Sequence, residues 1–191
     1  SAVTGINGGA GFQTTDVGRI ISFNSGKAKI TARTNTTVVV CTITTAFTNT
    51  DATAAFSLGA FSDTTGHPSC VSFFEQRLVF AGTTDEPQTL YFSKSGDYQN
   101  METGTDADDA MVYTIASNQV NKIRYLKAVR TLLIGTTGGE FSVSADGTDA
   151  AVTPTNVTIK RQSSFGAANV DAQPSGNAVL FLQTAKRKIR E

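Results

Sequence analysis

Short β-branched and aromatic runs alternate with polar turn residues along most of the chain. In its first third the runs cover residues 19–23, 27–33 and 37–44, with Asn24-Ser25-Gly26 and Thr34-Asn35-Thr36 between them. Runs of this length separated by such residues are typical of antiparallel strands. We therefore predict a small three-stranded antiparallel β module, with its connector, over residues 17–65.

The segments on either side of this module have a different composition. Residues 1–16 are rich in Gly, Ser, Thr and Asn without a sustained apolar period, which predicts a flexible lead-in. The connector, residues 48–66, ends at Gly66-His67-Pro68, where the proline excludes both helix continuation and a sheet hydrogen bond from its nitrogen. We place the domain boundary there, so that a second domain covers residues 66–191.

The second domain is predicted to consist of strands. No segment has a convincing helical period, and residues 108–118 are the best helix candidate. The strand-like runs cover residues 70–74, 77–81, 89–93, 122–129, 132–135, 141–144, 157–161 and 178–183. The fold class is therefore expected to be all-β.

The second domain also repeats itself. The stretches RLVFAGTTDEPQTLYFS, TLLIGTTGGEFSVS and AVLFLQTAKRKIRE align as strand, turn and strand, and their first apolar residues, Leu78, Leu132 and Val179, lie 54 and 47 residues apart. One propeller blade occupies about 40 to 50 residues. We predict two to three blades of a β-propeller, with a β-sandwich as the alternative. Since a ring needs roughly four to eight blades, we expect chain outside this sequence to complete it.

Charge and composition narrow the function classes. Lys plus Arg and Asp plus Glu each number 16, so no overall field attracts nucleic acid or an anionic membrane. No run approaches the roughly 20 apolar residues of a membrane span. Cys41, Cys70 and the single histidine, His67, favour neither a zinc site nor a disulfide, so we expect two buried free thiols.

Candidate catalytic groups are sparse. Cys70 follows His67 by three residues, but no third residue is nominated to orient a nucleophile and its base. Glu75 and Asp97 are candidates for a glycosidase carboxylate pair, although a strand face and a turn account for them equally well. Arg77 between them is expected to bind backbone or Asp97. We predict no catalytic residue, no cofactor and no enzyme activity.

Two acidic segments suggest loops more than ion sites. Asp106, Asp108 and Asp109 offer oxygens for Ca²⁺, but the EF-hand pattern is absent, and a solvated loop is the favoured interpretation. Whether these three carboxylates bind a cation stays open. Asp146 and Asp149 resemble part of a sialidase Asp-box turn that lacks its closing aromatic residue, and they predict only a turn.

Two further motifs have structural interpretations. The segment Thr137-Gly138-Gly139-Glu140-Phe141 is similar to the nucleotide-binding loop of diguanylate cyclases but lacks one acidic residue, and adjacent glycines suit a two-residue hairpin turn. The one basic cluster is expected to protect an exposed strand edge, with docking to an acidic partner as the alternative. It comprises Lys186, Arg187, Lys188 and Arg190.

One block resembles tail proteins of short-tailed bacteriophages and prophages, the tail tubular protein B or tail nozzle group. Its residues are Pro68, Val71, Phe73-Phe74, Gln76-Arg77-Leu78, Phe80-Ala81-Gly82-Thr83, Pro87-Gln88-Thr89, Ser93, Ser95-Gly96-Asp97-Tyr98 and Asn100. Later segments are similar to the same group: Ile123-Arg124, Leu133-Ile134-Gly135-Thr136, Gly139-Glu140, Thr153-Pro154, Asn156, Arg161-Gln162-Ser163, Gly166 and Lys188-Ile189-Arg190-Glu191.

The resemblance implies a function. It implies a propeller-bearing subunit of a hexameric tail tube in the virion, assembled in the host bacterial cytoplasm, which contacts its own copies, a portal or adaptor ring and other tail proteins. DNA would leave the capsid through this tube without sequence-specific binding, and a near-neutral chain suits a conduit because tight phosphate binding would hinder sliding. The alternative is a carbohydrate-binding or glycan-cleaving propeller, since one fold hosts both kinds of function.

Overall fold

The computed structural model describes residues 5–117, 119–147, 150–176 and 178–191. The chain divides into two compact units, residues 1–67 and 68–191. Four antiparallel sheets and two short 3₁₀ turns make up the regular structure of the described residues. The predicted all-β class is therefore confirmed. No helix in this part of the chain is long and apolar enough to cross a membrane.

The first unit is built on one antiparallel sheet. Its strands are β1 (Ile20–Phe23), β2 (Gly26–Arg33), β3 (Val39–Thr45) and β4 (Phe56–Leu58), in the order β3-β2-β1-β4. The first three coincide with the predicted meander. Asn24 and Ser25 form its first turn, both with positive φ, as a two-residue primed turn requires. The fourth strand lies within the segment predicted as a connector and pairs with β1.

Residues 5–16 differ from the expected lead-in. They form 3₁₀ turns at Ile6–Gly9 and Thr14–Asp16, and Ile6 and Phe12 are buried in one core with Ile30 of β2. The fully buried Asp16 accepts hydrogen bonds from Arg19, Asn7 and the Gln13 backbone, each 2.7 Å long. Burial acts to raise the pKa of Asp16, but these bonds and the Arg19 charge hold it below its ordinary value. Ile6 and Phe12 thus pack this segment against the sheet, whereas a flexible lead-in would have no buried apolar side chains.

The second unit contains three sheets, each a meander in chain order. Sheet I has β5 (Cys70–Phe74), β6 (Arg77–Ala81), β7 (Thr89–Phe92) and β8 (Met111–Thr114). Sheet II has β9 (Ile123–Ala128), β10 (Leu132–Thr136), β11 (Gly139–Ser144) and β12 (Thr158–Ser163). Sheet III has β13 (Gln173–Ser175), β14 (Ala178–Leu182) and β15 (Ile189–Arg190).

Three of these strands depart from the sequence prediction. β8 lies within residues 108–118, the best helix candidate of a domain predicted to consist of strands, and the described part of this segment contains no helix. Residue 118 lies outside the described residues. Met111 of β8 is buried beside Phe92 of β7, so tertiary packing selects the strand. β13 and β15 are only three and two residues long, too short for a period to be recognised.

The sheets stack in sequence, in one repeated orientation. Leu78, Leu132 and Val179, which align in the repeats, all lie on the second strand of their sheets. Leu132 packs toward sheet I, and Val179 packs toward sheet II. The architecture is thus a small antiparallel module followed by part of a propeller, as predicted. Three stacked sheets distinguish it from a two-sheet sandwich.

Candidate functional site

Arg77 is a buried arginine of sheet I whose side chain forms several hydrogen bonds to the backbone. Its side chain is 2% exposed and points to the buried side of β6. The guanidinium donates to four backbone carbonyls, those of Ser93, Ala107, Asp108 and Asp109, at 2.6 to 3.3 Å. Burial lowers the pKa of Arg77, and nearby carboxylates oppose this shift. The expectation of a structural arginine that binds backbone is confirmed, while Asp97 is not among these acceptors.

Glu75 and Asp97 have separate structural roles. Glu75 and Gln76 form the turn between β5 and β6 with φ values of 46° and 59°, and the Glu75 carboxylate accepts a hydrogen bond from the Val152 backbone at 2.6 Å. Asp97 closes a turn by bridging to Lys94. Glu75 is therefore a turn residue rather than the strand residue expected. Neither residue lines the two cavities described below.

The acidic loop is organised by protein groups. Lys94 Nζ lies 3.0 Å from Asp108 and 3.4 Å from Asp109, and Asp109 also accepts a hydrogen bond from the Asp106 backbone. The hydrogen bond to Lys94 lowers the pKa of Asp108, whereas the pKa of Lys94 is raised by the same bond. Within the described ranges, no three His, Cys, Asp or Glu side chains are grouped to hold a metal ion. Of the two predicted turn acids, Asp149 lies outside those ranges.

The histidine lies beside an acidic residue, and the two thiols are partly buried. His67 contacts the exposed Asp63 at 3.1 Å. Cys41 and Cys70 are free and half-buried, which corrects the expectation of full burial. Burial raises the pKa of both thiols, and the Asp171 charge adds to this effect at Cys70. Both therefore favour the unreactive protonated form.

The remaining motifs lie at strand ends. Thr136 pairs with Gly139, so the predicted two-residue hairpin turn is present but consists of Thr137 and Gly138, with Gly139 already in β11. Neither turn residue has a positive φ, so the turn is not of the primed type that the glycine pair was expected to form. The basic cluster lies in and after the exposed turn between β14 and β15, and Arg190 stacks on Phe165 at 4.1 Å from the ring centre. β15 is an edge strand and carries Arg190, so part of the basic cluster lies on a strand edge, as expected. Docking of the cluster to an acidic partner stays a prediction.

The interface between sheets I and II is dry and apolar. Val79, Leu90 and Phe92 of sheet I pack in one core with Leu132 and Ile134 of sheet II. These side chains are buried, and alternate residues on each strand supply them. Arg77 is the charged group on this side of sheet I, and its guanidinium N–H groups donate to four backbone carbonyls. This interface is the main core of the unit.

The opposite side of sheet I, which we name the leading face, is partly exposed to solvent, although Tyr91 on the same face is buried. It carries Val71, Phe73, Leu78 and Val112, and Tyr98 contacts Phe73 edge-on with ring centres 5.2 Å apart. Val71 and Phe73 are 59% and 61% exposed. Leu78 is the repeat equivalent of Leu132 and Val179, whose side chains are buried against a preceding sheet. The leading face thus has the composition of a sheet interface.

The far side of sheet III, the trailing face, has a similar character. It carries Leu180, Leu182 and Ile189, and Ile189 is 71% exposed. A stack of repeated sheets therefore ends in apolar residues on both sides. Sequence alternation alone marks these positions as apolar, but only the sheet order reveals that they are the outer faces.

Two cavities adjoin sheet II. A groove of about 460 Å³ runs beside the first strands of the sheets and is lined by parts of β5 and β9 with Asp171 and Ala172, which precede β13. A larger cavity of about 640 Å³ lies between sheets II and III and is lined by Tyr125, Glu140 and Phe181 among others. Glu140, which sequence reasoning treated only as part of a hairpin, is buried there.

No protein-family model matches the chain, and no curated protein matches it at a significant level.

Proposed function

We propose that this chain is a structural virion protein, a subunit of a bacteriophage tail tube or nozzle that forms the conduit for DNA ejection. The observation that carries the proposal is the leading face. Val71 and Phe73 are large, apolar and mostly exposed, on a face whose repeat equivalents in sheets II and III pack against a neighbouring sheet. Apolar surface of this kind is characteristic of packing interfaces, and either a second copy of the chain or the further blades expected outside this sequence would cover it. The proposal assigns this contact to a second copy.

The polar groups support a structural role over a catalytic one. The carboxylates proposed as a glycosidase pair serve a turn and a backbone hydrogen bond, and the acidic loop is held by Lys94. Arg77 uses its donors within the fold. The side chains with catalytic chemistry that we considered thus have structural partners.

The assembly is the resemblance-based part of the proposal. We expect a homo-oligomer, a hexamer by resemblance to the tail nozzle group, that docks on a portal or adaptor ring in the tail. DNA passes through without sequence-specific binding, which equal numbers of acidic and basic residues favour because counterion release then contributes little affinity. A carbohydrate-binding or glycan-cleaving propeller remains the competing function.

The test uses the chain as it stands, with two matched substitutions. Val71→Glu places a charge on the leading face, and Val120→Glu places one at a valine that is 76% exposed outside it. We expect light scattering and negative-stain images to show ring-shaped oligomers for the wild type and Val120→Glu. Val71→Glu should remain monomeric, because a charge in an apolar interface is costly.

Two results would overturn this proposal. One is a wild-type monomer that hydrolyses or binds members of a glycan panel. The other is an oligomer that Val71→Glu leaves intact at every protein concentration tested, because the leading face would then play no part in assembly.

A further inference from the structure

The cavity between sheets II and III has the size of a ligand site. Its volume is about 640 Å³, within the range of about 300 to 1,000 Å³ that small-molecule sites occupy. Tyr125 and Leu133 of sheet II and Val179 and Phe181 of sheet III supply apolar walls. The site lies away from the leading face and is independent of the proposed assembly.

The cavity exists because sheet II is asymmetric. Its side toward sheet I carries large aliphatic residues, whereas its side toward sheet III includes two small residues, Gly135, which pairs with Glu140, and Ser142, which pairs with Leu133. Tyr125 lies across Gly135, where a β-carbon would collide with the ring. Small side chains opposite Val179 and Phe181 leave space that close packing would otherwise fill.

Glu140 contributes a carboxylate to this space. It is 7% exposed, and one oxygen, Oε2, accepts a hydrogen bond from the Ser163 hydroxyl. The other oxygen, Oε1, is buried and has no hydrogen-bond partner within the described residues. Buried carboxylates are normally paired or fully hydrogen-bonded, because desolvation of an unpaired one is costly. A ligand that brings a positive donor would satisfy it.

The walls define the chemistry of that donor. Tyr125 and Phe181 lie with ring centres 6.2 Å apart and a tilt of 41°, and both rings line the same cavity as the Glu140 carboxylate. Aromatic faces attract organic cations, and aliphatic walls suit an alkyl chain. A hard metal ion needs six or more oxygen ligands, which this wall does not group together.

We infer that the cavity binds a small organic cation, a primary alkylammonium whose nitrogen pairs with Glu140 and whose chain lies against Tyr125 and Phe181. Glu191 also lines the cavity and offers a second carboxylate. A diamine long enough to reach Glu191 is therefore expected to bind more tightly than the monoamine, because its second ammonium gains a partner.

The experiment is calorimetric titration of the full chain with butylammonium, 1,4-diaminobutane and neutral 1-pentanol. We expect saturable binding of both amines and none of the alcohol. Glu140→Gln should weaken amine binding about tenfold or more, since it keeps the shape and removes the charge. Glu102→Gln, the same change outside the cavity, should bind like the wild type.

The fold of each variant is checked by its thermal unfolding curve. Should Glu140→Gln fail to fold, Glu140→Asp provides the second variant, with the carboxylate drawn back and weaker amine binding expected. Absence of amine binding to the wild type, equal binding of the alcohol, or unchanged affinity in a folded Glu140 variant would each overturn the inference. None of these results bears on oligomer formation, so the assembly proposal is tested separately.

Discussion

The two interfaces of sheet II use opposite sides of the same strands and differ in chemistry. Toward sheet I, Leu132 and Ile134 pack in a dry core with Val79 and Phe92. Toward sheet III, Tyr125 and Leu133 meet Val179 and Phe181 around a cavity that includes a buried carboxylate. The strands β9 and β10 thus form a close-packed contact with sheet I on one side and a loosely packed contact with sheet III on the other.

The two interfaces also differ in how their buried charged groups are hydrogen-bonded. At the dry interface the charged group is Arg77, whose four backbone acceptors compensate for desolvation. At the cavity, Glu140 has one oxygen satisfied by Ser163 and, among the residues that the structure describes, no hydrogen-bond partner for the other. The two charged groups therefore differ in how fully the fold compensates for their burial.

We expect the largest loss of stability from removing the hydrogen-bonded guanidinium of Arg77. Arg77→Met leaves four carbonyls without their donor, so we expect the free energy of unfolding to fall by about 3 to 4 kcal/mol. Arg130→Met, at an exposed arginine in the β9–β10 turn, is the matched control and should change it by less than about 0.5 kcal/mol. Urea unfolding measures both. Similar losses in the two variants would refute the central role of Arg77.

Substitution of two adjacent leucines allows the packing of the two interfaces to be compared directly. Leu132 is fully buried toward sheet I, and Leu133 is half-buried toward sheet III. Leu132→Ala should lower the unfolding free energy by about 3 kcal/mol, while Leu133→Ala should cost only about 1 kcal/mol because the cavity already limits its contacts. Chemical denaturation of the two variants tests this, and equal costs would show that the interfaces are packed alike.

The smallest effect is a pH dependence at the cavity. Burial, aided by the Glu140 charge, raises the pKa of Tyr125 above its ordinary value. The folded state therefore holds this proton when the unfolded state releases it, so stability is lost as pH rises above about 10. Tyr125→Phe should reduce that alkaline loss, as followed by denaturation at pH 9 to 11.

Tyr98→Phe is the control for this experiment. Tyr98 is exposed on the leading face, far from sheet III in the stack, and its substitution should leave the alkaline slope as in the wild type. If Tyr125→Phe leaves the slope unchanged as well, the alkaline loss arises elsewhere and the cavity is not a closed environment for the phenol.

Local patterns were sufficient for many elements. The apolar runs at residues 70–74 and 77–81 predicted β5 and β6 with the observed bounds, and the Gly138-Gly139 pair predicted the β10–β11 hairpin, although its turn lies one residue earlier. Such features depend on side-chain period and turn conformation, which neighbouring residues determine. The repeat spacing also predicted that similar strands would lie in successive sheets.

Other features required contacts between distant residues. Residues 5–16 have no apolar period, yet Ile6 and Phe12 complete a core whose other side comes from β2. Arg77 meets carbonyls about thirty positions later, in a loop that no local pattern links to it. The carboxylate of Glu140 follows a hairpin glycine, and only the stacking of sheet III encloses it.

The all-β class, the positions of most strands and their repetition follow from local features of the chain, because short apolar runs and turn-forming residues act over a few positions. Contacts between sheets are needed to establish which face of each strand is buried, which apolar faces are exposed, and where a carboxylate lies beside a cavity. The physical reason is that a strand has two faces, and only the stacking of neighbouring sheets decides which one is removed from water.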